Sequence, residues 1–187
     1  LRGLGRIGDA EALYRRALEI YEKVIPPNPL DIARGRNNLA SALNAQGYYG
    51  EAERLFREAL DIRKKELGLK HPDTAGSHNN LAGTLRAQGG YKEAEDHFRR
   101  ALDIYQKVPN PDPRSTALSL NALALVLVDQ GQAGEAESLL RRALAIREKV
   151  LGPDHPDIAE SLSGLGGVLG NQGRHAEAEE MHRRALA

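Results

Sequence analysis

Small and hydrophobic residues recur along the chain with a fixed period of 42 residues. One glycine marks this register in every repeat, at Gly5, Gly47, Gly89, Gly131 and Gly173. An alanine follows each of these glycines after five residues and again after twelve. No insertion or deletion interrupts the spacing, so the chain is built from internal repeats.

Each repeat predicts two helices. Leucines four residues apart, with Asp or Ser before them and glycine after them, predict first helices over 31–46, 73–88, 115–130 and 157–172. Second helices are predicted over 9–24, 49–67, 91–108, 133–151 and 175–187. Residues 1–4 are then the tail of a first helix that Gly5 closes.

The ends of the first helices follow from their flanking residues. The expected N-caps are Asp31, Asp73, Ser115 and Asp157. Proline-rich links precede them, and two of these links contain the tripeptide His-Pro-Asp, at His71 and His155. We interpret these tripeptides as turn features, because proline stops the preceding helix.

Small residues on the first helices predict how the two helices of a repeat pack. Ala40, Ala82, Ala124 and Gly166 are expected to face the alanines of the second helices, since small side chains allow a short distance between helices. One helix pair cannot bury its own leucines, so neighbouring pairs must stack. We therefore predict an all-α fold, a right-handed superhelical solenoid of helix-turn-helix units with about four and a half repeats.

The register divides a single solenoid over 1–187 into a partial repeat 1–32, complete repeats 33–74, 75–116 and 117–158, and a partial repeat 159–187. The incomplete ends and the missing initial Met predict a fragment of a longer protein. The helix over 9–24 lacks a partner, so Tyr14, Ala17 and Leu18 are expected to be short of cover. Either residues outside this sequence cover them, or the chain associates with itself through this helix.

The repeats resemble the tetratricopeptide family. The residues that match its pattern are Asn80-Leu81-Ala82, Leu85, Gly89, Tyr91, Ala94, Phe98 and Ala101-Leu102. The usual period of that family is 34 residues. The longer period and the His-Pro-Asp links are similar to the kinesin light chain type. The likeness covers essentially the whole chain and implies a solenoid that binds proteins or peptides.

One stripe of the first helices is expected to line a concave binding groove. Its candidate residues are Arg34, Asn37, Asn38, Ser41, Asn79, Asn80, Arg86, Asn121, Leu125 and Asp129. Asparagine both donates and accepts hydrogen bonds, and the resemblance implies that Asn38 and Asn80 hold the backbone of an extended peptide. The alternative is that these asparagines bond only to neighbouring repeats.

Charge along the groove predicts the polarity of the ligand. Arg34 and Arg86 precede Leu125 in the chain, whereas Asp129 and Glu160 follow it. We expect an extended ligand with an acidic end over the arginines and an apolar anchor near Leu125. The alternative is that Leu125 packs against an adjacent helix.

Composition narrows the class of partner. Lys and Arg number 26 and so do Asp and Glu, which argues against a nucleic-acid binder that neutralises phosphates. No run of 18 apolar residues predicts a membrane span, and the absence of cysteine excludes thiolate metal sites. We predict no cofactor, no metal, no nucleic-acid or membrane partner, and a cytoplasmic location.

Charged side chains outside the groove have structural interpretations. The pairs Glu11–Arg15, Glu53–Arg57, Glu95–Arg99, Glu137–Arg141 and Glu179–Arg183 are four residues apart, and each is expected to support its own helix by roughly 0.2–0.5 kcal/mol. The run Arg63-Lys64-Lys65 is expected to be solvated. His175, Glu179 and His182 share a helix face, but His182 stands where other repeats have an aromatic residue, so packing is expected there rather than a metal site.

These observations predict a non-enzymatic scaffold that binds proteins or peptides. The alternative is a sensor or regulatory arm of a multidomain signalling NTPase or protease whose effector domain lies outside this sequence. Neither interpretation names the ligand.

Overall fold

The structure is a computed structural model that describes residues 2–152 and 154–186. These residues form nine helices and no strand, as the repeat pattern predicts. The helices are α1 (Arg2–Lys23), α2 (Pro29–Ala45), α3 (Tyr49–Leu67), α4 (Pro72–Ala87), α5 (Tyr91–Lys107), α6 (Pro113–Asp129), α7 (Ala133–Val150), α8 (Pro156–Asn171) and α9 (His175–Leu186). They form two compact units, Leu1–His97 and Phe98–Ala187, whose boundary lies inside α5.

The first unit is built by sequential helix packing. Each of α1, α2 and α3 packs against the next helix, and α2 also contacts α4. Ala40 on α2 and both Ala52 and Ala59 on α3 are completely buried, and Leu39 and Leu43 lie beside them in the core. The predicted use of small residues between the helices of a repeat is therefore confirmed in this unit.

The second unit repeats this arrangement with one local change. Ala124, Ala136 and Ala143 are completely buried where α6 and α7 pack. Gly166 replaces the corresponding alanine on α8, and the ring of His182 lies over it, with Cε1 only 2.7 Å from the place that a Cβ atom would occupy. His182 thus packs against α8, as expected from its position in the register.

The marker glycines close the first helices in four repeats. Gly47, Gly89, Gly131 and Gly173 have φ between 77° and 85°, a left-handed conformation that glycine adopts without strain. The prediction for Gly5 is wrong, because this residue lies within the continuous helix α1.

The predicted N-caps are also wrong. The first helices begin one or two residues earlier than predicted, each at a proline, and the caps are Asn28, His71, Asp112 and His155. Proline suits the first helical position, since its φ is already helical and no N–H is needed there. It also holds the residue before it in the extended conformation that an N-cap requires.

The His-Pro-Asp tripeptide is therefore a helix start as well as a turn. His71 Nδ1 accepts a hydrogen bond from the N–H of Asp73 at 3.1 Å, and His155 does the same for Asp157 at 3.2 Å. The aspartate in the first turn adds a negative charge at the positive end of the helix dipole. One tripeptide thus supplies the cap, the first helical residue and a favourable charge.

Replacement of Asp112 by Ala tests the most fully bonded of these caps. Its carboxylate accepts from the N–H groups of Arg114 and Ser115 and from the Ser115 hydroxyl, and this last bond contributes most to lowering the pKa of Asp112. We expect Asp112→Ala to lower the free energy of unfolding by about 1 kcal/mol at pH 7, measured by urea denaturation. Because the native pKa is lowered, this stabilisation is present above about pH 4 and is lost as the pH falls further.

The matched control for the cap variant is Asp61→Ala. The Asp61 side chain is 76% exposed on α3 and caps no helix. We expect its removal to leave stability unchanged within about 0.5 kcal/mol. Equal losses in the two variants, or an Asp112 effect that does not change between pH 5 and pH 2, would contradict the capping role.

Candidate functional site

The first helices present an exposed side in both units, which we call the first-helix face. Its members are Arg34, Asn38 and Ser41 on α2, Asn80 and Gly83 on α4, Leu118, Ala122, Leu125 and Asp129 on α6, and Glu160, Ser163 and Gly167 on α8. These side chains are exposed or half-buried, whereas the leucines that pack inside the repeats, such as Leu39, Leu81, Leu123 and Leu165, are buried. The face follows directly from the register, because residues three and four apart share one side of a helix.

Arg34 is an exposed cation held in a fixed place. Its Nη2 donates to Asp31 Oδ1 at 2.7 Å and to the Tyr21 hydroxyl at 3.5 Å, and its guanidinium carbon lies 5.6 Å from the centre of the Tyr21 ring. The interaction with Tyr21 is the main cause that raises the pKa of Arg34, and the charge of Asp31 adds to it. The side chain remains 58% exposed, so an anionic ligand can reach it.

Two of the predicted groove asparagines bond to each other. Asn80 Nδ2 on α4 donates to Asn37 Oδ1 on α2 at 2.8 Å, and Ser41 Oγ donates to the Asn37 carbonyl at 2.9 Å. These contacts are those of the structural alternative, in which asparagines link neighbouring repeats. Asn38 is half-buried, and among residues 2–152 and 154–186 its side chain has no hydrogen-bond partner.

A second polar link between α2 and α4 was not anticipated from the sequence. Thr84 is completely buried, and its hydroxyl bonds to Asn44 Oδ1 at 3.0 Å and to the Asn80 carbonyl at 3.2 Å. Asn79 and Arg86, which were also predicted for the groove, are half-buried on α4. The first unit therefore ties two first helices together through side chains below the face.

In the second unit, Asn121 lies deeper than predicted. It is only 3% exposed, and its Nδ2 donates to Glu160 Oε1 on α8 at 3.2 Å. Its Oδ1 is buried and has no hydrogen-bond partner within the described part of the chain. Leu118 nearby on α6 is 54% exposed, Leu125 is half-buried and Asp129 is exposed. Polar and apolar groups thus alternate along this side of α6.

A buried arginine holds Glu160 in position. Arg147 on α7 is 2% exposed, and its Nη2 lies 3.1 Å from Glu160 Oε2. Its Nη1 donates at 2.6 Å both to Ser161 Oγ and to the Asp157 carbonyl. A chain of bonds therefore runs from Arg147 through Glu160 to Asn121.

The same arginine site occurs in the first unit, which corrects the prediction that Arg63 is solvated. Arg63 Nη1 donates to Ser77 Oγ at 2.6 Å in a partly buried bond. Both the arginines and their serine partners are 84 residues apart, twice the repeat period. The lysines next to Arg63 led to the prediction of a solvated run. The recurrence of both the arginine and the serine after 84 residues is the sequence signal that would have identified the buried contact.

The glutamate–arginine pairs do more than support their own helices. Arg15 contacts Glu11 on α1 and Glu51 on α3, and Arg57 contacts Glu53 on α3 and Glu93 on α5. The second contact reaches the glutamate 36 residues further along the chain. In the second unit the same contacts link Arg99 to Glu135 and Arg141 to Glu137 and Glu177.

Glutamines next to the closing glycines add bonds to these glutamate–arginine contacts, and we call the whole set the polar ladder. Gln46 Nε2 donates to Glu11 Oε2 at 2.7 Å, and Gln88 Nε2 donates to Glu53 Oε2 at 2.6 Å. The bond from Arg15, followed by that from Gln46, lowers the pKa of Glu11. Each glutamine thus connects the end of a first helix to the second helix of the preceding repeat, so its role is structural.

The residues that the structure describes lack two other classes of site. No group of three or more His, Cys, Asp or Glu side chains in this part of the chain could hold a metal ion. None of its helices is both long and apolar enough to cross a membrane.

Family comparison places the repeats in a known class. Models of the tetratricopeptide repeat match residues 31–107 and 115–187, and a second such model matches residues 1–31. The chain therefore belongs to the tetratricopeptide repeat family. No curated protein sequence matches it.

Solved structures agree with this assignment. BtubC (BKLC) from P. vanneervenii is 24% identical with a TM-score of 0.86, over 99% of this chain and 74% of that one. A putative kinesin light chain with nearly identical TPR-like repeats from Podosopora anserina is 27% identical with a TM-score of 0.78, over 97% of this chain and 86% of that one. A Rap protein complexed with Competence and Sporulation Factor is 19% identical with a TM-score of 0.83, over 98% of this chain and 49% of that one.

The chain is thus an all-α tetratricopeptide solenoid with repeats of the kinesin light chain type. It is a repeat scaffold for protein interaction, a class that is generally non-catalytic.

Proposed function

We propose that this scaffold acts without catalysis and binds an extended protein or peptide segment along the first-helix face. The observation that carries the proposal is the buried, unpartnered Oδ1 of Asn121. An unsatisfied buried acceptor costs about 1–3 kcal/mol. The atom has no exposed surface, so the side chains around it must move apart before a peptide N–H reaches it, and the bond then removes this cost.

The surroundings of Asn121 suit a peptide backbone. Glu160 engages Nδ2 and is itself held by Arg147, so the amide orientation is fixed and Oδ1 serves as the acceptor. A backbone N–H is the donor that every residue of an extended peptide except proline provides. Leu118 and Leu125 on the same helix offer an apolar contact for a neighbouring side chain.

The first unit supports an acidic end on the ligand. Arg34 is exposed, and its contacts with Tyr21 and Asp31 set the direction of its side chain. It therefore loses little conformational entropy when it pairs with a ligand carboxylate. We propose Asn38, Asn80 and Arg86 as further ligand contacts in the first unit, and Asp129 as a ligand contact in the second unit. The Rap protein, complexed with Competence and Sporulation Factor, supports the use of this fold for ligand binding.

A peptide-library selection tests this function. Random peptides displayed on phage are selected on the wild-type chain, and the enriched peptides are measured by fluorescence polarisation against variants. We expect Asn121→Ala to weaken binding about fivefold to tenfold, since one hydrogen bond is lost. We expect Arg34→Glu to weaken binding of enriched peptides that carry an acidic end.

The control for the binding experiment is Arg183→Glu. Arg183 is 73% exposed on α9 and lies outside the first-helix face. Its variant should bind like wild type, and circular dichroism checks that all three variants fold. Failure to enrich any peptide, or equal affinity of all folded variants, would refute the proposal.

We also propose that α1 mediates association with a second copy. Leu13 is 67% exposed, Ile20 55% and Tyr14 37%, whereas Phe56, which occupies the register position of Tyr14 in the next repeat, is 3% exposed. Leu18, by contrast, contacts Gly35 on α2 and is half-buried. The exposed stripe thus lies on the side of α1 away from α2.

Light scattering over a range of concentrations tests this association. The wild-type mass should rise with concentration, and Leu13→Glu should hold the chain at the monomer mass because it places a charge in the contact. Leu69→Glu is the control, since Leu69 is equally exposed but lies between α3 and α4. A wild-type mass that stays monomeric at every concentration excludes this contact.

A further inference from the structure

Two histidines in the first unit form a buried pair. His78 on α4 and His97 on α5 have their Nδ1 atoms 2.7 Å apart, a hydrogen-bond distance, and their ring centres lie 4.9 Å apart. His78 is 4% exposed, and the His97 side chain is 12% exposed. Neither the predicted groove nor the polar ladder uses this pair.

The register shows that the pair replaces an apolar contact. The positions of His78 and His97 are held by Leu120 and Leu139 one repeat later, and both leucines are buried. Two repeats later they are held by Leu162 and Met181. An apolar pair is therefore compatible with this place in the fold, and only one repeat carries two titratable groups there.

The charged groups near the pair come from α3 and α5. On α5, Glu93 Oε1 lies 3.9 Å from His97 Nε2, and Arg57 on α3 donates to the same oxygen. In the preceding repeat Arg36 occupies the position of His78 and contacts Glu22 and Glu58. At the register position of Glu22 on α1, α3 carries Lys64 instead. A carboxylate therefore lies beside His97, whereas the register position that supplies a carboxylate to Arg36 holds a lysine in the repeat of His78.

These facts limit how many protons the pair can hold. A hydrogen bond between two Nδ1 atoms needs one nitrogen with a proton and one without. His97 can become an imidazolium, because it can donate through Nε2 towards Glu93 and through Nδ1 to His78. A second imidazolium would bring two N–H groups and two positive charges within hydrogen-bond distance in a buried place.

We propose that the His78–His97 pair is a proton-sensitive latch that joins α4 to α5 and opens when both rings become charged. The closed latch holds at most one added proton, whereas the two histidines of the unfolded chain each take one below about pH 6.5. Acid therefore favours opening, and the folding equilibrium constant falls by up to tenfold per pH unit below that value. If the first-helix face binds peptides as proposed above, the latch also controls α4 at that face.

The experiment compares wild type with the double variant His78→Leu/His97→Leu, which copies the leucine pair of the following repeat. Urea unfolding of both chains is measured between pH 7.5 and pH 5. The wild-type folding constant should fall relative to that of the double variant by up to tenfold per unit below about pH 6.5. This difference removes the contribution of the histidine caps, because both chains retain His71 and His155. Parallel curves would overturn the latch.

A direct count of ring protons in the wild-type chain tests the proposal even if the double variant does not fold. Nitrogen-15 NMR of the wild-type chain counts the ring protons of its imidazoles. At pH 5, below the ordinary pKa of histidine, the folded pair should show three ring N–H groups or fewer. Four N–H groups with α4 and α5 still folded would overturn the proposal. Neither measurement involves a peptide, so its outcome is separate from that of the binding test.

Discussion

Close packing between the two helices of a repeat sets the conditions for the rest of the structure. Ala40, Ala52 and Ala59 are fully buried between α2 and α3, and the same places in the second unit hold Ala124, Ala136 and Ala143. Side chains of this size let the helices approach closely and bring the leucines of each first helix into the core. The opposite side of each first helix is then left for polar and small residues, and this side is the first-helix face.

Polar side chains connect one repeat to the next once this packing is in place. Glu11 receives bonds from Arg15 and Gln46, and Glu53 contacts Arg57 and Gln88. Exposed ion pairs of this kind contribute little individually. These ion pairs instead fix the alignment of neighbouring helices, because a helix shifted along its neighbour would lose the contact between each arginine and the glutamate 36 residues ahead. The neutral net charge largely reflects this ladder.

Sequence periodicity was sufficient to predict the helices, the closing glycines and the buried alanines, since each depends on local spacing. The predicted starts of the first helices were wrong because proline has two structural roles here. It ends one helix, and it is also the first residue of the next. The periodicity failed at Gly5 because α1 continues through this position as one helix. The register therefore predicts which residue type marks a position, but not always the local structure there.

The polar sites were harder to predict, since they depend on which side chain stands opposite. The sequence pattern is the same whether Asn37 and Asn80 contact a ligand or link neighbouring repeats. Only the 2.8 Å distance from Asn80 Nδ2 to Asn37 Oδ1 identifies the link. The His78–His97 pair and the Arg147 site were likewise missed, because each combines residues from two helices. A comparison at twice the repeat period would have identified the arginine sites, but no spacing alone identifies the histidine pair.

Equilibrium unfolding of two alanine variants on α2 tests the dependence on close packing most directly. Ala40 is completely buried and Ala45 is exposed at the end of the same helix. Ala40→Leu should lower the free energy of unfolding by about 1–3 kcal/mol or more through overpacking, whereas Ala45→Leu should change it by less than about 0.5 kcal/mol. Equal stability of the two variants would contradict the account.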